Sequence, residues 1–126
     1  MTEKLLIADD EAGIRSLVKM TLVSESYEIL EAKDGPEALA MARKHLPRMM
    51  LLDVMMPGMT GFEVCRAIKS DPITKDITVV MLTARAQDSD HAEGSDAGAD
   101  GYFTKPFSPL ALLRKVDEIL ADSETQ

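Results

Sequence analysis

Apolar residues follow two patterns along the chain. In the first they run without a break: "LLIA" (5–8), "MMLL" (49–52) and "VVML" (79–82). Such runs fit parallel strands covered on both faces, where no solvent side imposes alternation. "YEILEA" (27–32) alternates more and predicts an edge strand, while "GYFTK" (101–105) predicts a fifth, shorter one. In the second pattern apolar residues return at helical spacing. Ile14, Leu17, Val18 and Leu22 share one face of a first helix. "DGPEALAMARKHL" opens with Gly35-Pro36, a helix start, and Ala38, Leu39, Ala42 and Leu46 form its stripe. "GFEVCRAIKS" predicts a third helix that ends near Asp71-Pro72. "SPLALLRKVDEILA" predicts the last, with Ser108 as N-cap, Pro109 at the first helical position, and Leu112, Leu113, Val116 and Leu120 buried. The polar tail "DSETQ" is predicted to fray. A fourth helix belongs at Gln87–Gly98, "QDSDHAEGSDAG", but its apolar residues are only Ala92 and Ala97, and Gly94 lies mid-segment. That stretch is predicted to be the least protected regular segment, and to order when the protein is modified.

Strand and helix alternate throughout, which predicts an α/β fold: a five-stranded parallel sheet with five helices on both faces, doubly wound, with right-handed crossovers. With 126 residues, no internal repeat and no linker, residues 1–126 read as a single domain, its core about 3–121 and a flexible tail at 122–126. Sheets of this kind bind ligands outside the carboxyl ends of their strands.

Composition narrows the function. Net charge is −8 with no basic run, so direct nucleic acid binding is not expected. No apolar run approaches the ~20 residues of a membrane-spanning helix, and the N-terminus has no secretory pattern. Cys65 is the single cysteine, which rules out an intrachain disulfide and a cysteine-rich zinc site and fits a cytoplasmic setting.

The strand ends carry the chemistry. Strand one ends in Asp9-Asp10-Glu11, strand three in Asp53, strand four in Thr83 and strand five in Lys105. Asp53 directly follows four apolar residues, an odd place for a carboxylate unless it has partners. Crowded carboxylates repel one another, and a divalent cation relieves that repulsion. Mg²⁺ prefers hard oxygen ligands and takes one or two carboxylates. Lys105 would add a fixed positive charge and Thr83 a hydroxyl donor. The set suits phosphoryl transfer to a carboxylate, with Asp53 as nucleophile. Each position has an ordinary alternative. Asp9 and Asp10 could cap the first helix, Asp53 could cap a loop, Thr83 could be a β-branched strand residue, and Lys105 a surface lysine. The conjunction, each residue at the end of its own strand, carries the functional reading.

These residues give the chain a strong resemblance to the receiver domain of two-component response regulators, of the single-domain chemotaxis type. The acidic pair is Asp9-Asp10, and the phosphoacceptor motif is "DVMMPGMTGFE" around Asp53. "MLTA" carries Thr83, followed by small Ala84, and "GADGYFTKPF" carries Tyr102 and Lys105-Pro106. The spacings, 30 from Asp53 to Thr83 and 22 from Thr83 to Lys105, are the family's usual ones. The resemblance implies a flavodoxin-like sheet of order 2-1-3-4-5. It implies that Asp10, Asp53 and the backbone carbonyl of Met55 ligate Mg²⁺, with Mn²⁺ able to substitute, and that Asp9 acts through a water. Lys105 would pair with the phosphoryl group. Thr83 would hydrogen-bond it and shift, letting Tyr102 rotate inward and changing the face built from segment 87–98, strand five and the last helix. The Lys105–Pro106 bond would be cis. Met55 and Arg85, two residues after Asp53 and Thr83, would flank the attacking water and set phosphate lifetime. Ser95 stands where the family commonly has a large apolar residue.

The implied partner is a histidine kinase or histidine phosphotransfer protein, since neither His45 nor His91 lies in a kinase-like motif. Output passes to a protein target or to an effector domain, for which 126 residues leave no room. The chain is not expected to be an enzyme beyond its own phosphoryl transfer and autodephosphorylation. A flavin carrier would need a Ser/Thr/Gly-rich phosphate loop after strand one, where this chain has "DDEAG". A phosphatase with an aspartyl nucleophile would need an acid two residues on, where this chain has Met55.

Overall fold

The computed structural model describes residues 3–22, 27–83, 98–104 and 108–124, with side chains as far as Glu118. Five strands, β1 (Glu3–Ala8), β2 (Tyr27–Ala32), β3 (Met49–Asp53), β4 (Thr78–Thr83) and β5 (Gly101–Thr104), form one sheet in the order β2-β1-β3-β4-β5. Every pairing is parallel. Helices α1 (Ala12–Leu22), α2 (Gly35–His45) and α3 (Gly61–Ser70) alternate with the strands, and a last helix spans Pro109–Glu124. The predicted helix at Gln87–Gly98 lies outside the described residues apart from Gly98.

The uninterrupted apolar runs are explained by two cores, one on each face of the sheet. Leu6, Ala8, Met50, Leu52, Val79 and Met81 pack with Ala38 and Ala42 of α2 and Val64, Cys65 and Ile68 of α3. Their neighbours Leu5, Ile7, Met49, Leu51, Val80 and Leu82 pack with Val18 and Leu22 of α1 and with Leu112 and Val116 of the last helix. Successive strand residues point to opposite faces, so an apolar residue is needed at every position. Cys65 belongs to this packing. Burial pushes its thiol up from 9.0 to about 11, against the pull of Lys69, with Asp100 adding to the rise and Arg66 opposing it. At neutral pH it is a protonated, buried hydrophobe rather than a reactive thiol.

Helix ends follow local chemistry. Asp34 accepts the Glu37 N–H at 2.8 Å while Glu37 accepts the Lys33 N–H at 2.8 Å. Thr60 and Glu63 form a capping box on α3. Ser108 caps the last helix, its Oγ accepting the Ala111 N–H at 3.1 Å. One expectation fails here. Leu46 is not part of the buried stripe of α2: it lies beyond the helix at φ 47° and is 52% exposed. Pro47 follows, with no N–H and a ring that clashes with the preceding turn, so the helix stops and Leu46 becomes its left-handed cap. A leucine there costs about 1–2 kcal/mol relative to right-handed geometry.

Lys69 closes the lower end of the sheet. Its Nζ donates to Lys75 O (3.3 Å), Ile77 O (2.6 Å) and Asp100 Oδ2 (2.7 Å). Asp100 Oδ2 also accepts the Val79 N–H at 2.8 Å. The end of α3, the start of β4 and the entry to β5 are thereby held together.

Candidate functional site

Parallel strands end on one side, and this delivers the acids to one rim. Asp9 comes directly after β1 and extends its pairing, donating its N–H to Ala32 O at 3.1 Å. Asp53 is the last residue of β3, in register with Leu82, and Thr83 is the last of β4, in register with Thr104. Asp9, Asp53 and Thr83 are buried, at 0%, 7% and 2% exposure, while Asp10 is exposed. Asp9, Asp10 and Asp53 each offer a carboxylate oxygen, and these oxygens lie within 4.8 Å of one another. Like charges at that separation repel by about 1 kcal/mol per pair in water and about 3 at the effective dielectric of a protein surface. The donor set is all oxygen, with no thiolate or imidazole, which fits a hard cation such as Mg²⁺ or Mn²⁺. Among the described residues this is the one acidic or metal-ligating group of its kind.

Local hydrogen bonds fix the pocket. Asp9 Oδ1 accepts the Glu11 N–H at 2.9 Å, which commits one of its oxygens. Arg15 Nη1 donates to the Asp9 carbonyl at 2.7 Å and Arg15 Nε donates to Glu31 Oε1 at 3.2 Å. The loop after Asp53 turns at Gly58, whose φ of 84° suits glycine. It then runs into α3 at Gly61, whose N–H donates to Val54 O at 2.9 Å. A Cβ on Gly61 would collide with the Asp53 carbonyl oxygen and lie 2.9 Å from Met81 Cε. α3 therefore starts pressed against the backbone of Asp53.

Of the residues proposed from sequence, Asp9, Asp10 and Asp53 come together, and Thr83 ends the strand beside Asp53. Tyr102 is half-buried on β5, packed on the core that holds its register partner Met81. Met55 is 73% exposed, standing out from buried Val54 and Met56. Lys105, the Lys105–Pro106 bond and Arg85 lie outside the described residues; Thr104, just before Lys105, is the register partner of Thr83. The pattern of the sequence missed Arg15, which reads as an ordinary surface cation, like Lys19 one turn on, in an amphipathic helix. It placed a helix start at Gly61, where "TGFE" spells a capping box, but gave no sign of the close approach of Gly61 to the Asp53 carbonyl.

A family model described as the response regulator receiver domain matches residues 5–117. The response regulator PleD of Caulobacter vibrioides is 47% identical over 117 residues, covering 92% of this chain and 26% of that protein. The phosphate regulon transcriptional regulatory protein PhoB of Pseudomonas aeruginosa is 41% identical over 116 residues, covering 92% of this chain and 51% of that protein. The chain thus spans about a quarter to a half of the length of these two relatives. The solved structure of the chemotaxis response regulator CheY4 of Vibrio cholerae superposes with a TM-score of 0.90 at 38% identity, covering 94% of this chain and 99% of that one.

Proposed function

Since the chain belongs to the response regulator receiver-domain family, we propose that it accepts a phosphoryl group on Asp53 from a histidine kinase or a histidine phosphotransfer protein. A carboxylate oxygen of Asp53 attacks phosphorus, a P–O bond forms, and the P–N bond to the donor imidazole breaks. The imidazole keeps the electron pair and takes up a proton. Water later cleaves the acyl phosphate and releases inorganic phosphate. No separate substrate is turned over, so the domain acts as a signalling switch rather than as an enzyme.

The observation that carries this reading is the convergence of Asp9, Asp10 and Asp53 beside Thr83 on one rim. Asp10, Asp53 and the Met55 carbonyl would hold Mg²⁺, or Mn²⁺ in its place. Asp9, buried and already accepting from Glu11, suits a role through water. Bound there, the cation supplies positive charge to the carboxylates and to the phosphoryl oxygens. Lys105 pairs with the phosphoryl group, and the Thr83 hydroxyl donates to one of its oxygens. The Thr83 shift admits Tyr102 inward and reshapes the face of segment 87–98, β5 and the last helix. The output is a protein target or an effector domain outside these 126 residues, with no nucleic acid contact by this acidic domain. Among the described residues no helix is long and apolar enough to cross a membrane, and we place the domain in the cytoplasm.

Acetyl phosphate with Mg²⁺ should add about 80 Da, one phosphoryl group, read by intact mass. Excess chelator should abolish the adduct; full labelling in chelator overturns the metal-dependent reading.

Phosphate lifetime follows from Met55 and Arg85. Met55 has no strong donor with which to orient water. Arg85, two residues after Thr83, has the reach to pair with phosphoryl oxygens and exclude solvent. Replacing Met55→Asn together with Arg85→Glu should speed loss about tenfold, ~1.4 kcal/mol of barrier. Decay of the adduct after donor removal measures it; an unchanged or slower decay shows that these side chains do not gate the water.

A further inference from the structure

We propose that Arg15 is a positioning residue for the acidic pocket, holding the peptide that joins Asp9 to Asp10 so that both carboxylates are set for a divalent cation. This rests on the reading above that the pocket binds Mg²⁺. The peptide unit between the two acids is planar. Its carbonyl, Asp9 O, accepts from Arg15 Nη1 at 2.7 Å. The preceding N–H is held by Ala32 O at 3.1 Å, and the Asp9 side chain by the Glu11 N–H at 2.9 Å. Arg15 fixes the remaining freedom of this unit, its rotation about the axis between the two Cα atoms. That rotation would change the backbone angles on which the direction of the Asp10 side chain depends. Asp10 is the exposed member of the cluster and has the most to lose.

Arg15 is itself held. Its Nε donates to Glu31 Oε1 at 3.2 Å, and Lys19 Nζ lies 3.7 Å from the other oxygen of Glu31. The Arg15 side chain is only 18% exposed. Its guanidinium bridges β2 to the loop after β1, using two N–H groups in the fixed fork that lysine lacks. A partner that orients ligand-bearing groups typically sets metal affinity by 10–100-fold.

The sign of the effect separates positioning from charge. Arg15 is a cation beside a cation site, so on charge alone Arg15→Met should tighten Mg²⁺ binding. Positioning demands the reverse. Calorimetric titration with Mg²⁺ should show Arg15→Met binding about tenfold more weakly than wild type. Arg15→Lys, which keeps the charge but not the fork, should fall between them. At saturating Mg²⁺ the rate of phosphorylation by acetyl phosphate should return to within about twofold of wild type, because the lost interaction is one of binding. Equal or tighter binding in Arg15→Met overturns the proposal. If that variant does not fold, as read by circular dichroism, Arg15→Lys decides, and unchanged affinity overturns it. Asp10→Asn is the reference. Should it bind Mg²⁺ as wild type does, the acidic pocket is not the metal site, and the proposal falls with that reading. Should it lose binding while the Arg15 variants keep theirs, positioning alone is refuted.

Discussion

Asp53→Asn should abolish phosphoryl acceptance, slowing adduct formation with acetyl phosphate at least about a hundredfold. The substitution is nearly isosteric and replaces the anionic oxygen with a neutral amide. Asp53 is 7% exposed at the end of a strand buried along its whole length, so the shape of the site should persist. Asp9 and Asp10 remain within reach of a donor, which makes the variant a demanding test. Both are carboxylates, and labelling of either would appear as the same mass increase. Peptide mapping separates them. A full adduct in Asp53→Asn would show that the acceptor had been misassigned. The variant should also melt at a higher temperature in the absence of divalent cations, because one of three mutually repelling charges is gone.

Gly61→Ala should lower stability by about 1–3 kcal/mol, the usual cost of forcing extra volume into a packed site. That corresponds to a fall in Tm of about 5–10 °C for a domain of this size. The added methyl has no room: the Asp53 carbonyl oxygen and Met81 Cε already occupy its place. Relief requires either α3 or the end of β3 to move, and the second displaces the acceptor. Phosphorylation by acetyl phosphate should therefore slow as well. Gly13→Ala is the control. Nothing lies within 4 Å of a Cβ there, and alanine is the better helix former by about 1 kcal/mol in a helix interior. It should be neutral or stabilising. Thermal melts of both variants check the pair; equal Tm values would mean that the contact at Gly61 relaxes at no cost.

Much of this was legible in the sequence because each signal was local. β1, β3 and β4 were visible because burial on both faces leaves continuous apolar runs. The acids were visible because a parallel sheet brings strand ends to one side, so residues far apart in sequence could be assigned to one rim. Where long-range partners decide, the signal fades. Asp9 and Asp10 are the same residue type side by side, yet one is buried and the other exposed. The contacts of Arg15 with Asp9 and Glu31, and of Lys69 with Asp100 across 31 positions, join charged residues that periodicity treats as surface. Leu46 shows the opposite error. Its spacing fitted the stripe of α2, but helical periodicity does not register that the helix stops before Pro47.

The two cores have a bearing on how such a domain can diverge. Val79 and Met81 answer to α2 and α3, while Val80 and Leu82, their immediate neighbours, answer to α1 and the last helix. A lineage can thus exchange side chains in one layer while those of the other keep their packing partners. The helices that meet different partners are free to drift apart in sequence. The rim has no such freedom, because Asp53 and Thr83 end strands that both layers hold in place, and Asp9 directly follows another. Side chains of either core can therefore change layer by layer, whereas a shift of β3 or β4 moves the rim and both cores together.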